Sequence, residues 1–227
     1  MYNKSQLKPD KLYSILPTVL KLAYPVKDKI ILDLGCGNGF FTKSFAKSKC
    51  LKAYGIDNSI NQINEAKKHY FPNIDYIFGN FFNVNYPKCH VINASFILNY
   101  SRTRSELKNL LDKSYRALYK KGKIIGVIDL PNCSHISRFG ALKKYNGKLC
   151  DGKTIEIILY LKNNPICKLK SIYYSVKTFD KILGKSGFSN VMWHRPVISK
   201  RGIKKYGKEF WKDYIENCEL GYFTAEK

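Results

Sequence analysis

Residues 29–39, KIILDLGCGNG, constrain the fold more than any other stretch of the chain. Lys29–Leu34 is a mostly apolar run closed by a glycine cluster, the pattern of a buried strand giving way to a tight turn. Glycines at 35, 37 and 39 let the backbone turn sharply and approach a ligand without interference from a Cβ atom. A dinucleotide fingerprint would carry its third glycine at position 40, where this chain has Phe. GxGxG alone says little, and its setting says more. A helix is expected from about Gly39 to Ser48, with Phe41 and Phe45 one turn apart. The next strand ends at Asp57, 18 residues beyond Gly39. A carboxylate at that place can accept two hydrogen bonds from a ribose diol.

The same strand–helix rhythm continues to residue 130. Ser59-Ile60-Asn61-Gln62 reads as a capping box that opens a helix with Ile60, Ile63 and Tyr70 facing inward. Asp75–Phe78 and His90–Ser95 are the third and fourth strands. Thr103-Arg104-Ser105-Glu106 caps a helix with Leu107, Leu110, Leu111, Tyr115 and Leu118 on one face; Gly122 ends it, and Lys123–Ile128 is the fifth strand. Beyond Leu130 the pattern changes. Pro131–Gly152 reads as an irregular loop, Thr154–Leu161 and Ile166–Ser175 as a β-hairpin, and Thr178–Lys185 as a short helix. Val191–His194 and Tyr222–Ala225 are the last strands, with a helix near Lys204–Ile215 between them. The fold class expected is α/β: a Rossmann-like, doubly wound, mostly parallel seven-stranded sheet with an added β-hairpin covering the site. One domain over 1–227 is expected, with an N-terminal helical cap (1–28), a ligand-binding half (29–130) and a covering half (131–227).

Composition narrows the class further. Of 227 residues, 44% are hydrophobic, enough for a substantial core, and no apolar run approaches the ~20 residues that span a bilayer. Lysines and an aspartate interrupt the N-terminus, so no signal peptide is expected. Seven cysteines, odd in number and without a CxxC pair, argue against disulfides or a zinc site and fit a reducing cytoplasm. The net charge of +23 is the exception to an ordinary composition, and residues 131–212 alone hold 18 Lys or Arg against four acids. Such a field speeds encounter with anionic partners of any kind. Only six of the 40 basic residues are Arg, however, and solvated surface accounts for most of the excess.

Asp33-Leu34-Gly35-Cys36-Gly37-Asn38-Gly39 resembles motif I of the class I S-adenosylmethionine-dependent methyltransferases, and Gly55–Ser59 (GIDNS) resembles their ribose-binding segment. Residues 95–107, 126–132 and the tail from Trp193 to Trp211 look like one branch of that family, the small-molecule N-methyltransferases related to the toxoflavin-pathway and glycine/sarcosine enzymes. The resemblance implies S-adenosylmethionine as cofactor. It implies that Gly35, Cys36, Gly37 and Gly39 face the methionine moiety with Asp33 supporting the loop, and that Asp57 holds the ribose hydroxyls. Asn58, Asn80 and Phe81 would lie at the adenine and Ser95 near the sulfonium. Gln62 stands where the family often has an apolar Met against the base, and Asn80 where it has Asp.

Methyl transfer from a sulfonium is an in-line displacement from an already activated donor, so it needs positioning and dryness more than a triad or a metal. No metal is expected. Tyr100, Asp129 and His135, around the ends of the fourth and fifth strands, are the candidates for catalysis and acceptor orientation, with Tyr100 foremost. Phe96, Asn132, Phe139, Tyr174 and Trp193 are the candidates for acceptor binding, since such rings can enclose a heterocycle or an amine. The acceptor expected is a small molecule, anionic or heteroaromatic, methylated on N or O by a monomer or homodimer. Nucleic acid, favoured by the charge, is the competing acceptor; against it, the fourth strand ends in Asn93-Ala94-Ser95-Phe96, not a diproline tetrad, and no cysteine follows a proline.

Overall fold

The computed structural model describes residues 8–131, 139–161 and 164–227. A π-helical stretch, Lys11–Ile15, runs directly into α1 (Leu16–Ala23). Then follow β1 (Ile30–Leu34), α2 (Phe40–Lys47), β2 (Lys52–Asp57), α3 (Ile60–Lys67), β3 (Ile74–Phe78), β4 (Cys89–Asn93), α4 (Arg104–Ala117) and β5 (Leu118–Asp129). The second half contributes β6 (Ala141–Lys144), β7 (Thr154–Leu161), β8 (Asn164–Ile172), α5 (Val176–Lys185), β9 (Ser189–His194), α6 (Lys200–Tyr206), α7 (Lys208–Glu216) and β10 (Leu220–Glu226).

Seven strands form one sheet in the order β3-β2-β1-β4-β5-β10-β9, parallel except that β10 runs antiparallel to both β5 and β9. The Rossmann-like, doubly wound architecture is therefore as expected. Alternation along the strands sorts side chains into two cores. Leu32, Leu34, Ile56, Ile92, Ile124 and Ile128 pack against α4 and α5 through Leu107, Leu110, Leu111, Phe179 and Leu183. Ile31, Ala53, Val91, Ile125 and Val127 face α1 and α2, meeting Val19, Leu22, Phe41 and Phe45. By the same period of two, Asp33, Asp57, Asn93 and Asp129 belong to the α1/α2 face. All four lie at the carboxyl ends of their strands, where open α/β sheets bind ligands.

Several expectations are corrected. The added element is not a hairpin but a three-stranded sheet, β6-β7-β8, because Ala141–Lys144 pairs with β7 inside the stretch read as a loop. Ile60 (48% exposed) and Tyr70 (86% exposed) point to solvent; α3 is only eight residues long and rests on the sheet through Ile63 and Ala66. Gly122 does not end α4. The helix stops at Ala117, where the Lys227 ammonium takes up the carbonyls of Tyr115 and Leu118, and β5 begins at once and passes through Gly122. The helix near Lys204–Ile215 is two helices, divided at Gly207, whose φ of 80° no helix accommodates. No helix among the described residues is long and apolar enough to cross a membrane.

Candidate active site

The β1–α2 loop is held open from both sides of the chain. Gly35, Gly37 and Gly39 all have positive φ. The Cys36 N–H donates to the Ile56 carbonyl and the Gly37 N–H to Asp57 Oδ2 at 2.7 Å. Asp57 Oδ1 also accepts from the Ser59 N–H at 2.9 Å, so one carboxylate ties the glycine loop to the start of α3. A Cβ at Gly37 would meet only Gln62 Oε1, at 3.6 Å. At Gly37 the loop thus presents bare backbone toward open space that a side chain would begin to fill, while Gly35 and Gly39 are packed against Ile97 and Tyr76.

Beneath the loop lies a buried polar chain. Asp33 accepts from Thr42 Oγ1 at 2.6 Å and from Asn93 Nδ2 at 2.7 Å, and Asn93 Oδ1 accepts from Ser95 Oγ at 2.6 Å. Burial pushes the Asp33 carboxyl up to about 6, against the lowering effect of the Thr42 and Asn93 hydrogen bonds and of Lys11. Asp33 is therefore the loop's support and has no direct opening to a ligand. Its partner Asn93 sits beside it in register on β4, a relation invisible until the two strands are adjacent.

Two buried polar atoms beside the loop lack any partner: Gln62 Oε1 and the Tyr76 hydroxyl. The expected Ser59–Gln62 capping box is half made. Ser59 Oγ accepts from the Gln62 N–H, while the Gln62 side chain turns toward Gly37. Tyr76, on β3, was not among the expected site residues. Its ring lies where Gly39 and Gly55 leave room, so a Cβ at Gly55 would come within 2.8 Å of it. Burial drives its phenol further up, keeping it a donor. A donor and an acceptor left waiting in a bare backbone cradle above a carboxylate suit the adenosine and amino-acid ends of S-adenosylmethionine.

Other expected cofactor residues are placed with less enclosure. Asn58 is exposed at the head of α3. Asn80, also exposed, folds back so that its Oδ1 accepts from the Phe82 N–H, and Phe81 is buried under the β3–α4 connection. Cys36 is buried with its Sγ against Gly55; burial raises its thiol far from the reactive range.

A cavity of about 110 Å³ lies at the carboxyl ends of β4 and β5. Its walls bring together residues from across the chain: Lys8, Asp10, Lys11 and Ile15; Phe96 and Tyr100; Asp129; Phe139, Ala141 and Lys143; Ile157, Leu159 and Leu169; and Tyr214, Asn217, Cys218, Glu219 and Leu220. Four expected residues, Phe96, Tyr100, Asp129 and Phe139, therefore share one chamber. Phe96 has φ +65°, a conformation costing a bulky residue roughly 1–3 kcal/mol. The Phe96 N–H donates to the Val127 carbonyl at 2.7 Å, which holds the turn while the ring lies 4.6 Å from the Lys11 ammonium. Tyr100 ends a 3-10 turn, Leu98–Tyr100, and is 41% exposed. Asp129 pairs with Lys143 at 2.9 Å. Phe139 packs on Phe210, Trp211 and Tyr214 as it lines the wall.

The structure places Tyr174 and Trp193 elsewhere. Tyr174 is 1% exposed in the α4/α5 core and donates its hydroxyl to the Ser101 carbonyl; Trp193 packs on Phe223 and donates Nε1–H to Asp180. Asn132 and His135 lie outside the described residues. Lys8, Lys11, Lys143 and Glu219 are cavity residues that sequence reasoning did not single out. Only the three-to-four-residue spacing of Lys8, Lys11 and Ile15 would have hinted at a shared helical face. Among the described residues no cluster of His, Cys, Asp and Glu could hold a metal ion.

Residues 31–122 match the family model of a methyltransferase domain. The whole fold is similar to an S-adenosylmethionine-dependent methyltransferase of Mesorhizobium loti (TM-score 0.68, 15% identity, covering 98% of this chain and 100% of that one). It is also similar to one of Clostridium acetobutylicum (TM-score 0.65, 15% identity, 99% and 98% covered). Human N-acetylserotonin methyltransferase in complex with S-adenosylmethionine matches at TM-score 0.58 and 16% identity, over 93% of this chain and 51% of that one. At such identities the likeness carries the fold. No curated protein matches the sequence significantly. Residues 31–122 thus match a methyltransferase domain, inside a chain whose fold is the Rossmann-like one of these S-adenosylmethionine-dependent enzymes.

Proposed function

We propose that this chain methylates a nitrogen or oxygen atom of a small molecule seated in the cavity at the carboxyl ends of β4 and β5. The observation that carries the reading is the position of that chamber. Its floor residue Phe96 directly follows Ser95, which is hydrogen-bonded through Asn93 to Asp33 at the base of the glycine loop. Asp57 would accept from the ribose hydroxyls through lone pairs its two backbone donors leave over, and Gly35 to Gly39 would admit the methionine end. Gln62 and Tyr76 would face the polar edge of the ligand, with Asn58, Asn80 and Phe81 along the base.

When bound, S-adenosylmethionine supplies an electrophilic methyl group on a cationic sulfur. The chain's own contribution is placement and dryness. Tyr100 would orient the acceptor at the chamber mouth, Phe96 and Phe139 would exclude water, and Asp129 would offer a carboxylate oxygen to a polar acceptor group. Misplacement by about 1 Å can cost on the order of a hundredfold in rate, so a walled chamber is a sufficient catalyst for this chemistry.

The branch resemblance to toxoflavin-pathway and glycine/sarcosine N-methyltransferases supports a nitrogen acceptor. The +23 charge favours a second reading, nucleic acid as acceptor. Pools of small molecules incubated with labelled cofactor, with the product identified by mass, test the first. Submicromolar RNA or DNA binding that persists near physiological salt would select the second, since weak low-salt binding is expected of any protein this basic.

A further inference from the structure

Three lysines, Lys8, Lys11 and Lys143, and three acids, Asp10, Asp129 and Glu219, share the cavity wall. Lys8 pairs with Asp10 at 3.5 Å. Lys143 pairs with Asp129 at 2.9 Å and also donates to the Glu219 backbone carbonyl at 2.6 Å, and Glu219 has a partner of its own. Lys11 differs. Its ammonium forms no ion pair and no hydrogen bond among the described residues; its nearest company is three rings, Phe41 at 4.4 Å, Phe96 at 4.6 Å and Phe40 at 5.3 Å. The side chain lies deep in the protein yet keeps part of its surface open to the cavity.

Cation–π contact offsets part of the desolvation of such a group but leaves its three N–H donors without acceptors. A buried, unpaired ammonium is costly, and an oxyanion delivered through the cavity would satisfy both its charge and its donors. The rest of the wall is mostly apolar, with Ile15, Ile157, Leu159 and Leu169. One unpaired cation beside apolar walls matches a single negative charge on an apolar body.

We propose that the acceptor is a small monocarboxylic acid whose carboxylate pairs with the Lys11 ammonium beside Phe96. This rests on the reading of the cavity as the acceptor site. Charged groups facing Lys11 are Lys8, which disfavours its ammonium, and Asp10, Asp33 and Asp129, which favour it; burial outweighs them and brings the amine down to about 8. A bound carboxylate favours the ammonium, so affinity is level while the acid is ionised and the lysine charged, up to about pH 8, and falls about tenfold per pH unit above it, as the unliganded protein loses the charge.

The test is calorimetric titration of the protein, loaded with the demethylated cofactor S-adenosylhomocysteine, with isobutyrate and benzoate and with their neutral amides. At pH 7 at least one acid is expected to bind tenfold or more tighter than its amide, with that preference lost progressively above pH 8. Lys11→Met removes the preference, and Lys11→Arg retains it at pH 9 without the break. Equal binding of acids and amides, no binding of either acid, or an unchanged preference in Lys11→Met overturns the proposal. The pH profile of the wild type tests it even where a variant fails to fold. Binding of S-adenosylmethionine itself is measured alongside. If the folded protein takes up cofactor but shows no acid preference, only this inference falls; if it takes up no cofactor, the methyl-transfer reading falls and this inference with it.

Discussion

Two regions of this molecule do their work by different means. Around the glycine loop the important groups come from residues 33–95, the first four strands and their loops, and their geometry is set largely by backbone: three positive-φ glycines and two N–H donors converging on Asp57. Around the cavity, at least six separated segments from Lys8 to Leu220 contribute side chains, and only tertiary packing brings them together. A site written in local backbone geometry serves one invariant ligand. A site assembled from distant side chains can change its occupant by changing one wall, and on the reading proposed above this is where specificity would reside.

That contrast can be broken at the loop first. Asp57→Ala removes the carboxylate that anchors the Gly37 and Ser59 N–H groups, and we expect S-adenosylmethionine binding to weaken by about 3 kcal/mol, roughly 150-fold, the upper range for hydrogen bonds to a charged group. Calorimetry reads it directly; full affinity in the mutant would return the loop's organisation to the glycines alone. Tyr100→Phe tests the other region. Turnover on the identified acceptor should fall, by up to about a hundredfold, while melting temperature and cofactor affinity stay near wild type. A lowered melting temperature with unchanged turnover would assign Tyr100 to packing and dissolve the distinction between wall and core at that point.

Lys11→Met sharpens the comparison from the stability side. A lysine whose pKa falls from 10.5 in the unfolded chain to about 8 when folded costs stability fully below pH 8, and that penalty fades as pH rises through 10.5. The variant should therefore melt several degrees higher than wild type at pH 7, from a penalty on the order of 2–3 kcal/mol, with the gain shrinking toward pH 10. An unchanged difference across that range would mean that Lys11 is not desolvated. The smallest effect expected is Tyr76→Phe. The hydroxyl has no partner among the described residues, so stability should hold, whereas cofactor affinity should drop by about 1 kcal/mol, roughly fivefold. Affinity unchanged in a binding titration would remove Tyr76 from the cofactor site.

The same division explains what the amino-acid sequence disclosed. The glycine loop, Asp57 and the strand–helix order to residue 130 were legible because each is a local pattern: a period of two or 3.6, a turn, an acid at a strand end. Phe96, Tyr100, Asp129 and Phe139 were approachable because strand ends and the loops that follow them converge in any open sheet of this kind. Lys11 was not, since nothing distinguishes one lysine among 34 until its pairing is known. Tyr174 and Trp193 look like ring contacts for a ligand in sequence, yet Tyr174 is in the core, Trp193 is half-buried against it, and both have their polar atoms already bonded. Strand β6 escaped notice because Ala141–Lys144 is too short and too polar to show alternation, and is a strand only because β7 is there to pair with it.

Strand β10 lies between β5 and β9, and Leu220 pairs with Asp129 from 91 positions further along the chain. Contacts of such long range form late, because closing the intervening loop must come before any pairing rewards it. The pairings of β1 with β2 and of β2 with β3 need no such wait, each joining parallel strands that follow one another in the chain, while β4 comes back past both to pair with β1. During synthesis, then, the nascent chain can shape the glycine-loop cradle while the ribosome has yet to deliver the cavity walls that begin at Phe139. On the reading proposed above, selectivity would be the last property this protein acquires as it folds.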